Sequence, residues 1–164
     1  MVAVVPEKVR AAPAILNAGA IAGGMDITAA GIQAWLAGRT PARMLQGIAY
    51  GWFGKASFEG GAFTVAVGLV THFFIATCWA AIYWFASRRF LVLVRRAWIC
   101  GTLYALLVYA VMYEIVMPLS AIHRRIPRTP QAVLIGLLIH VFCVGLPIAL
   151  TARAYTPRRD ITAV

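Results

Sequence analysis

Four ionisable side chains stand inside stretches that are otherwise apolar: Asp26, His72, Glu114 and His140. The two histidines share a setting. Gly68-Leu69-Val70-Thr71-His72-Phe73-Phe74 and Gly136-Leu137-Leu138-Ile139-His140-Val141-Phe142 agree at Gly, Leu, His and the last Phe, 68 residues apart. Imidazole changes charge close to neutrality, so two of them beside a carboxylate are the parts of a proton relay. His72, His140 and Asp26 also have the donor types that bind transition metals. Two imidazoles from facing helices ligate a haem b in some bundles. The plain alternative is a pair of core histidines, each hydrogen-bonded across a helix interface. On sequence alone all four chemistries stay open.

Where those side chains stand depends on the elements around them. The chain has 164 residues, 62% of them hydrophobic and 12% charged, with a mean hydropathy of +0.83. A soluble domain carries about twice that charge. There is too little polar surface to coat a water-soluble globule, so one integral membrane domain over 1–164 is expected. Apolar runs at about 13–37, 61–86, 97–119 and 131–152 are each long enough to cross about 30 Å of hydrocarbon. The expected fold is all-α, an up-down bundle of four transmembrane helices. Lys8 and Arg10 precede too short an apolar run for a signal peptide, so the first run is expected to be retained.

Thr40-Pro41 reads as an N-cap followed by proline at the first helical position. It predicts a short helix over about 41–53 between spans one and two, with Met44, Leu45, Ile48 and Trp52 on one face, lying in the membrane interface. Thr129-Pro130 repeats the signal before span four. Each half then reads as a span, Arg-Thr-Pro, and a span carrying Gly-Leu-x-x-His-x-Phe. This pattern predicts a two-fold internal repeat with its axis along the membrane normal.

The net charge is +10, from 15 Lys and Arg against five acids. Most of the Arg flank apolar runs, which points to anchoring rather than to nucleic acid. Nine basic residues fall on the side of both termini and six on the other, so both termini are expected in the cytoplasm. The six are Arg39, Arg43, Lys55, Arg124, Arg125 and Arg128, expected to meet lipid phosphates or an acidic partner. Cys78, Cys100 and Cys143 lack metal or redox spacing and are expected to pack as small apolar side chains.

Asp26 shares a helical face with Gly19, Ala22, Gly23, Ala30 and Gln33. An unpaired charge in mid-span costs about 2.5–3.5 kcal/mol, so this small face should turn into the bundle. His72 shares a face with Gly68, Ala76, Trp79 and Tyr83, and His140 with Gly136, Cys143, Pro147 and Thr151. The glycine one turn before each histidine is expected to open space beside its ring. Glu114 precedes Pro118 by four residues, so its carbonyl loses a helical donor. Its expected partner is Arg124 or Arg125. Pro147 likewise predicts a kink in span four.

The segments Ala18-Gly19-Ala20-Ile21-Ala22-Gly23-Gly24-Met25-Asp26-Ile27, Leu45-Gln46-Gly47-Ile48-Ala49-Tyr50-Gly51, His72, and Leu138-Ile139-His140-Val141-Phe142-Cys143-Val144-Gly145-Leu146-Pro147-Ile148-Ala149 resemble small bacterial four-span proteins, loosely those of the YagU-like inner-membrane group. The resemblance covers about residues 13–153. It implies a bacterial inner-membrane location and brings no activity or site residues. No phosphate-binding Gly-rich loop, Gly-x-Ser-x-Gly or His-Glu-x-x-His occurs, so no catalytic residue is expected. The leading expectation is a non-enzymatic structural or accessory subunit, packing with itself or with a larger membrane complex through its glycine-rich faces, without a cofactor. The alternatives are a proton-coupled carrier or channel using Asp26, His72, Glu114 and His140, and an electron-transfer subunit holding haem or metal.

Overall fold

The computed structural model describes residues 7–123 and 129–157, the side chains of 7–10 excepted. Arg124, Arg125 and Arg128 lie outside the described residues. Four helices are long and apolar enough to cross a membrane: Ala11–Leu36, Gly61–Arg89, Ala97–Leu119 and Pro130–Ala154. No strand occurs among the described residues. The chain is a multi-pass, all-helical membrane protein.

Helix α1 (Glu7–Leu36) begins earlier than expected, running through Pro13. A proline so near the start disturbs only the first turns. α1 ends at Gly38, which has a φ of 71°. Gly38 N–H donates to Trp35 O and Arg39 N–H to Ala34 O, the paired bonds of a Schellman ending. Helix α2 (Pro41–Phe53) starts as expected, with Thr40 Oγ1 accepting from Arg43 N–H at 3.2 Å. A 3-10 turn, Gly54–Phe58, leads into α3 (Gly61–Arg89). A one-turn helix that the sequence did not signal, α4 (Val92–Arg95), fills the next connection. Span three is α5 (Ala97–Val111), a π-helical turn (Met112–Val116) and α6 (Met117–Leu119). Span four is α7 (Pro130–Ile139), a second π-helical turn (His140–Gly145) and α8 (Leu146–Ala154).

The spans pack antiparallel in ring order. Gly19 and Gly23 of α1 meet Thr77, Phe73 and Ala76 of α3. Tyr104 of α5 donates to Trp79 O of α3 at 2.7 Å. Gly101 and Ala105 of α5 meet Gly145 and Ala149 of span four. Asn17 of α1 donates to the Tyr155 hydroxyl, just beyond α8, which closes the ring. The seams are lined by small residues because helices in lipid associate by close packing, without a hydrophobic force between them. Large apolar side chains such as Leu16, Phe63, Phe74, Leu103 and Phe142 point outward. Cys78 is also exposed, contrary to its expected interior packing, while Cys100 and Cys143 are half-buried.

The helix faces show what each element packs against. α2 buries Gln46 and Ala49, beside the expected face of Met44, Leu45, Ile48 and Trp52, of which Trp52 is exposed. The cause is its seat on α3. Gln46 donates to Gly61 O at 3.4 Å, Leu45 lays its carbonyl against Gly68, and Trp52 Nε1 donates to Thr71 Oγ1 at 3.0 Å. The glycines also act differently from expectation. Gly68 makes room for the α2 backbone and Gly136 for the Tyr109 ring, not for the neighbouring histidines.

A Cβ at Gly145 would run into the backbone of Gly101 and Ala105, whereas one at Gly24 would meet nothing within 4 Å. Gly145→Ala is expected to destabilise the bundle by about 1–3 kcal/mol, as overpacking does, and Gly24→Ala to leave it unchanged. Thermal unfolding in detergent checks the pair.

Candidate functional site

Asp26, His72 and His140 come from three different helices and line one cavity of about 130 Å³. The helix register explains the meeting. Asp26 lies 10 residues from the end of α1, His72 11 from the start of α3 and His140 10 from the start of α7. At 1.5 Å per residue, each stands about 15–17 Å from the α2 end of the bundle, close to mid-span in a hydrocarbon layer of about 30 Å. Ala22, Gly23 and Ala76 form the small side of the cavity, and Ile48, Ile75, Trp79, Val108, Met112 and Val144 the apolar remainder. Its volume corresponds to about four waters at about 30 Å³ each.

His72 is hydrogen-bonded across the helix interface. Its Nε2 lies 2.9 Å from Gly23 O and 4.0 Å from Asp26 Oδ2. A carbonyl only accepts, so Nε2 carries the hydrogen and Nδ1 is left as the acceptor. His140 has the other arrangement. Its Nδ1 lies 2.9 Å from Gly136 O within its own helix, so Nδ1 carries the hydrogen and Nε2 keeps a lone pair. The edge of the His140 ring meets Tyr109 with centroids 5.1 Å apart, and Tyr113 lies at 6.3 Å. The expected bond across an interface therefore holds for His72, while His140 bonds back to its own helix.

Both π-helical turns open at this level. Met112 and His140 are their first residues, and both line the cavity. Each turn runs into a proline two residues past its end, Pro118 and Pro147. Proline cannot donate the next helical bond, and the wider turn accommodates the loss. π turns are frequent at functional positions. The turn adds a residue, so the inward stripe of span four passes from His140 through Val144, Ile148 and Ala152 rather than through Cys143, Pro147 and Thr151. The sequence signal for both turns was the two prolines, which a kink alone did not capture.

Glu114 does not join this cavity. It lies on the exposed side of the first π turn, and Arg124 and Arg125, its expected partners, are outside the described residues. Arg39, Arg43 and Lys55 are exposed at the α2 end, where the Arg43 guanidinium stands 3.9 Å from the Phe58 ring centroid. Among the described residues, no group of three or more His, Cys, Asp or Glu side chains could hold a metal ion. The space the imidazoles share is about 130 Å³.

On the side of the termini Trp79 lines the cavity and begins a stack of aromatic rings. Trp79 stands edge-on to Tyr104, with centroids 6.0 Å apart, and Tyr104 to Tyr83 at 4.8 Å. Tyr83 donates to Leu93 O at 2.9 Å, which ties this layer to the connection before α5. Compared with known proteins, the chain matches no family model, no curated protein and no solved structure.

The carbonyl bonds predict opposite neutral tautomers, Nε2–H at His72 and Nδ1–H at His140. Imidazole nitrogen shifts in labelled protein, assigned with His72→Gln and His140→Gln, should show one of each. Two identical tautomers would contradict the geometry.

Proposed function

We propose that this is a non-enzymatic protein of the bacterial inner membrane, a small proton-coupled carrier or channel in which Asp26, His72 and His140 take up and release the proton. The observation that carries this reading is their convergence on one cavity from three helices. Ionisable groups are expensive in lipid, and their gathering at one depth is the usual mark of a proton path. Asp26 and His72, 4.0 Å apart, are one bridging water or a small side-chain shift from direct contact. A proton between them changes an ion pair into a neutral pair, which limits the electrostatic cost of the step. The third titratable group on the cavity is His140, with the Tyr109 and Tyr113 rings around it.

The charge count, nine basic residues against six, supports termini in the cytoplasm and the α2 end outside. The resemblance to small bacterial four-span proteins supports the inner membrane. The two Thr-Pro caps, at Thr40 and Thr129, have nearly the same backbone angles and the same 3.2 Å bond, which favours duplicated halves. Arg39, Arg43 and Lys55 are suited to lipid phosphates at that end. A structural or accessory role remains the second reading. An outward-opening crevice of about 360 Å³ between α3 and α5, lined by Ile82, Leu93, Leu103 and Leu107, favours it as a place for a neighbouring helix. The glycines at 19, 23, 101 and 145 no longer argue for that role, because the chain's own helices occupy them.

Proteoliposomes loaded with a pH-sensitive dye test the proposal. Wild-type protein should dissipate an imposed pH gradient faster than empty vesicles, and Asp26→Asn should reduce the rate to the empty-vesicle level. Wild-type flux equal to the background would discard the carrier reading.

A further inference from the structure

A second and larger cavity, of about 640 Å³, opens between α2 and the α2 end of span three. Thr71 and Ile75 of α3 form one wall, and the stretch from Met112 to His123 supplies most of the other. Compared with the lining of the His–Asp cavity, three side chains are shared: Ile48, Ile75 and Met112. They come from α2, from α3 and from the first residue of a π turn. All three are apolar, and each is half-buried, as expected of side chains with a cavity on either side.

We infer that Ile48, Ile75 and Met112 form an apolar gate that decides what reaches the intramembrane carboxylate and imidazoles from the α2 side. The inference rests on the proton-site reading above and adds its selectivity. An apolar constriction between two wettable spaces blocks hydrated ions by dewetting and passes protons only when water bridges it transiently. The admitted class is therefore water and protons, and the excluded class is hydrated alkali cations and charged solutes.

The three parts differ in how they can move. Ile75 is fixed within α3. Ile48 travels with α2, whose seat on α3 is made by Gln46, the Leu45 carbonyl against Gly68, and the Trp52–Thr71 bond. Met112 is unbranched and flexible, and it follows changes in its surroundings readily. Its backbone lies where the helix is already wound out of α geometry. Opening therefore needs a shift of α2 or a new Met112 rotamer, without rearrangement of the α1–α3 seam.

Accessibility of a thiol inside the cavity tests the gate without depending on proton movement. With Cys78, Cys100 and Cys143 replaced by alanine, Ala76→Cys places a thiol on the cavity wall and leaves Asp26, His72 and His140 intact. A small charged thiosulfonate is added to the face that carries α2. Behind the intact gate, labelling should be slow. Ile48→Ala and Met112→Ala, made separately, should each speed it about tenfold by removing apolar bulk from the constriction. Ile115→Ala, in the larger cavity but outside the gate, should not. The pair of gate variants guards against one failing to fold, and elution as a sharp peak from size exclusion qualifies each. Fast labelling behind the intact gate, or equal rates in all variants, overturns the inference. Absent proton flux with gated labelling would sink the carrier reading and leave the gate standing.

Discussion

The close approach of α1 and α3 is the contact on which the centre of the molecule depends. Gly19 and Gly23 lack the Cβ atoms that would strike Thr77 and Phe73, so α3 comes within side-chain reach of the α1 backbone. Only at that separation can His72 Nε2 reach Gly23 O, and only then does Asp26, one turn further along α1, come beside the same imidazole. A larger residue at position 23 would move the helices apart. It would remove both partners of His72 together, leaving an imidazole and a carboxyl with unsatisfied polar atoms in hydrocarbon. The steric fit of two glycines is thereby coupled to the electrostatics of the site.

The second half of the bundle solves the same problem differently. Gly101 and Gly145 bring α5 and span four together backbone to backbone, without a cross-helix bond to His140. His140 instead returns its Nδ1–H to Gly136 O, which also accepts the His140 backbone N–H. A carbonyl has two lone pairs, so both donors are satisfied without a neighbour. The sequence motif around the two histidines is the same, yet one ring is held by another helix and the other by its own. Local pattern sets the depth of each ring, and packing decides what it bonds.

Much of this arrangement was legible in the residues. The four spans follow from length and hydropathy, and the inward turn of Asp26 from small residues spaced three and four apart. Both Thr-Pro starts form caps because threonine and proline act within one turn. Longer-range features were not legible. The apolar face of α2 looked like a surface stripe, because the space beside Gly68 belongs to a residue far along the chain. Cys78 points outward because the lipid-facing side of a transmembrane helix is as apolar as its interior, so hydropathy does not separate the two. The π turns precede prolines that cannot donate the next helical bond, and sequence supplies the proline but not how the helix absorbs the loss.

The neutral tautomers leave the site chemically asymmetric. His72 directs its hydrogen towards α1 and the carboxylate, while His140 keeps its Nε2 lone pair, which has no hydrogen-bond partner among the described residues. On the proposed reading, a proton that enters finds two acceptors and a carboxylate lining a space of about 130 Å³. If the two rings merely filled space, apolar side chains of similar volume would serve with no polar atoms to satisfy. Instead the fold puts three ionisable groups at one depth, between the aromatic rings of Trp79 and Tyr104 and the apolar trio Ile48, Ile75 and Met112.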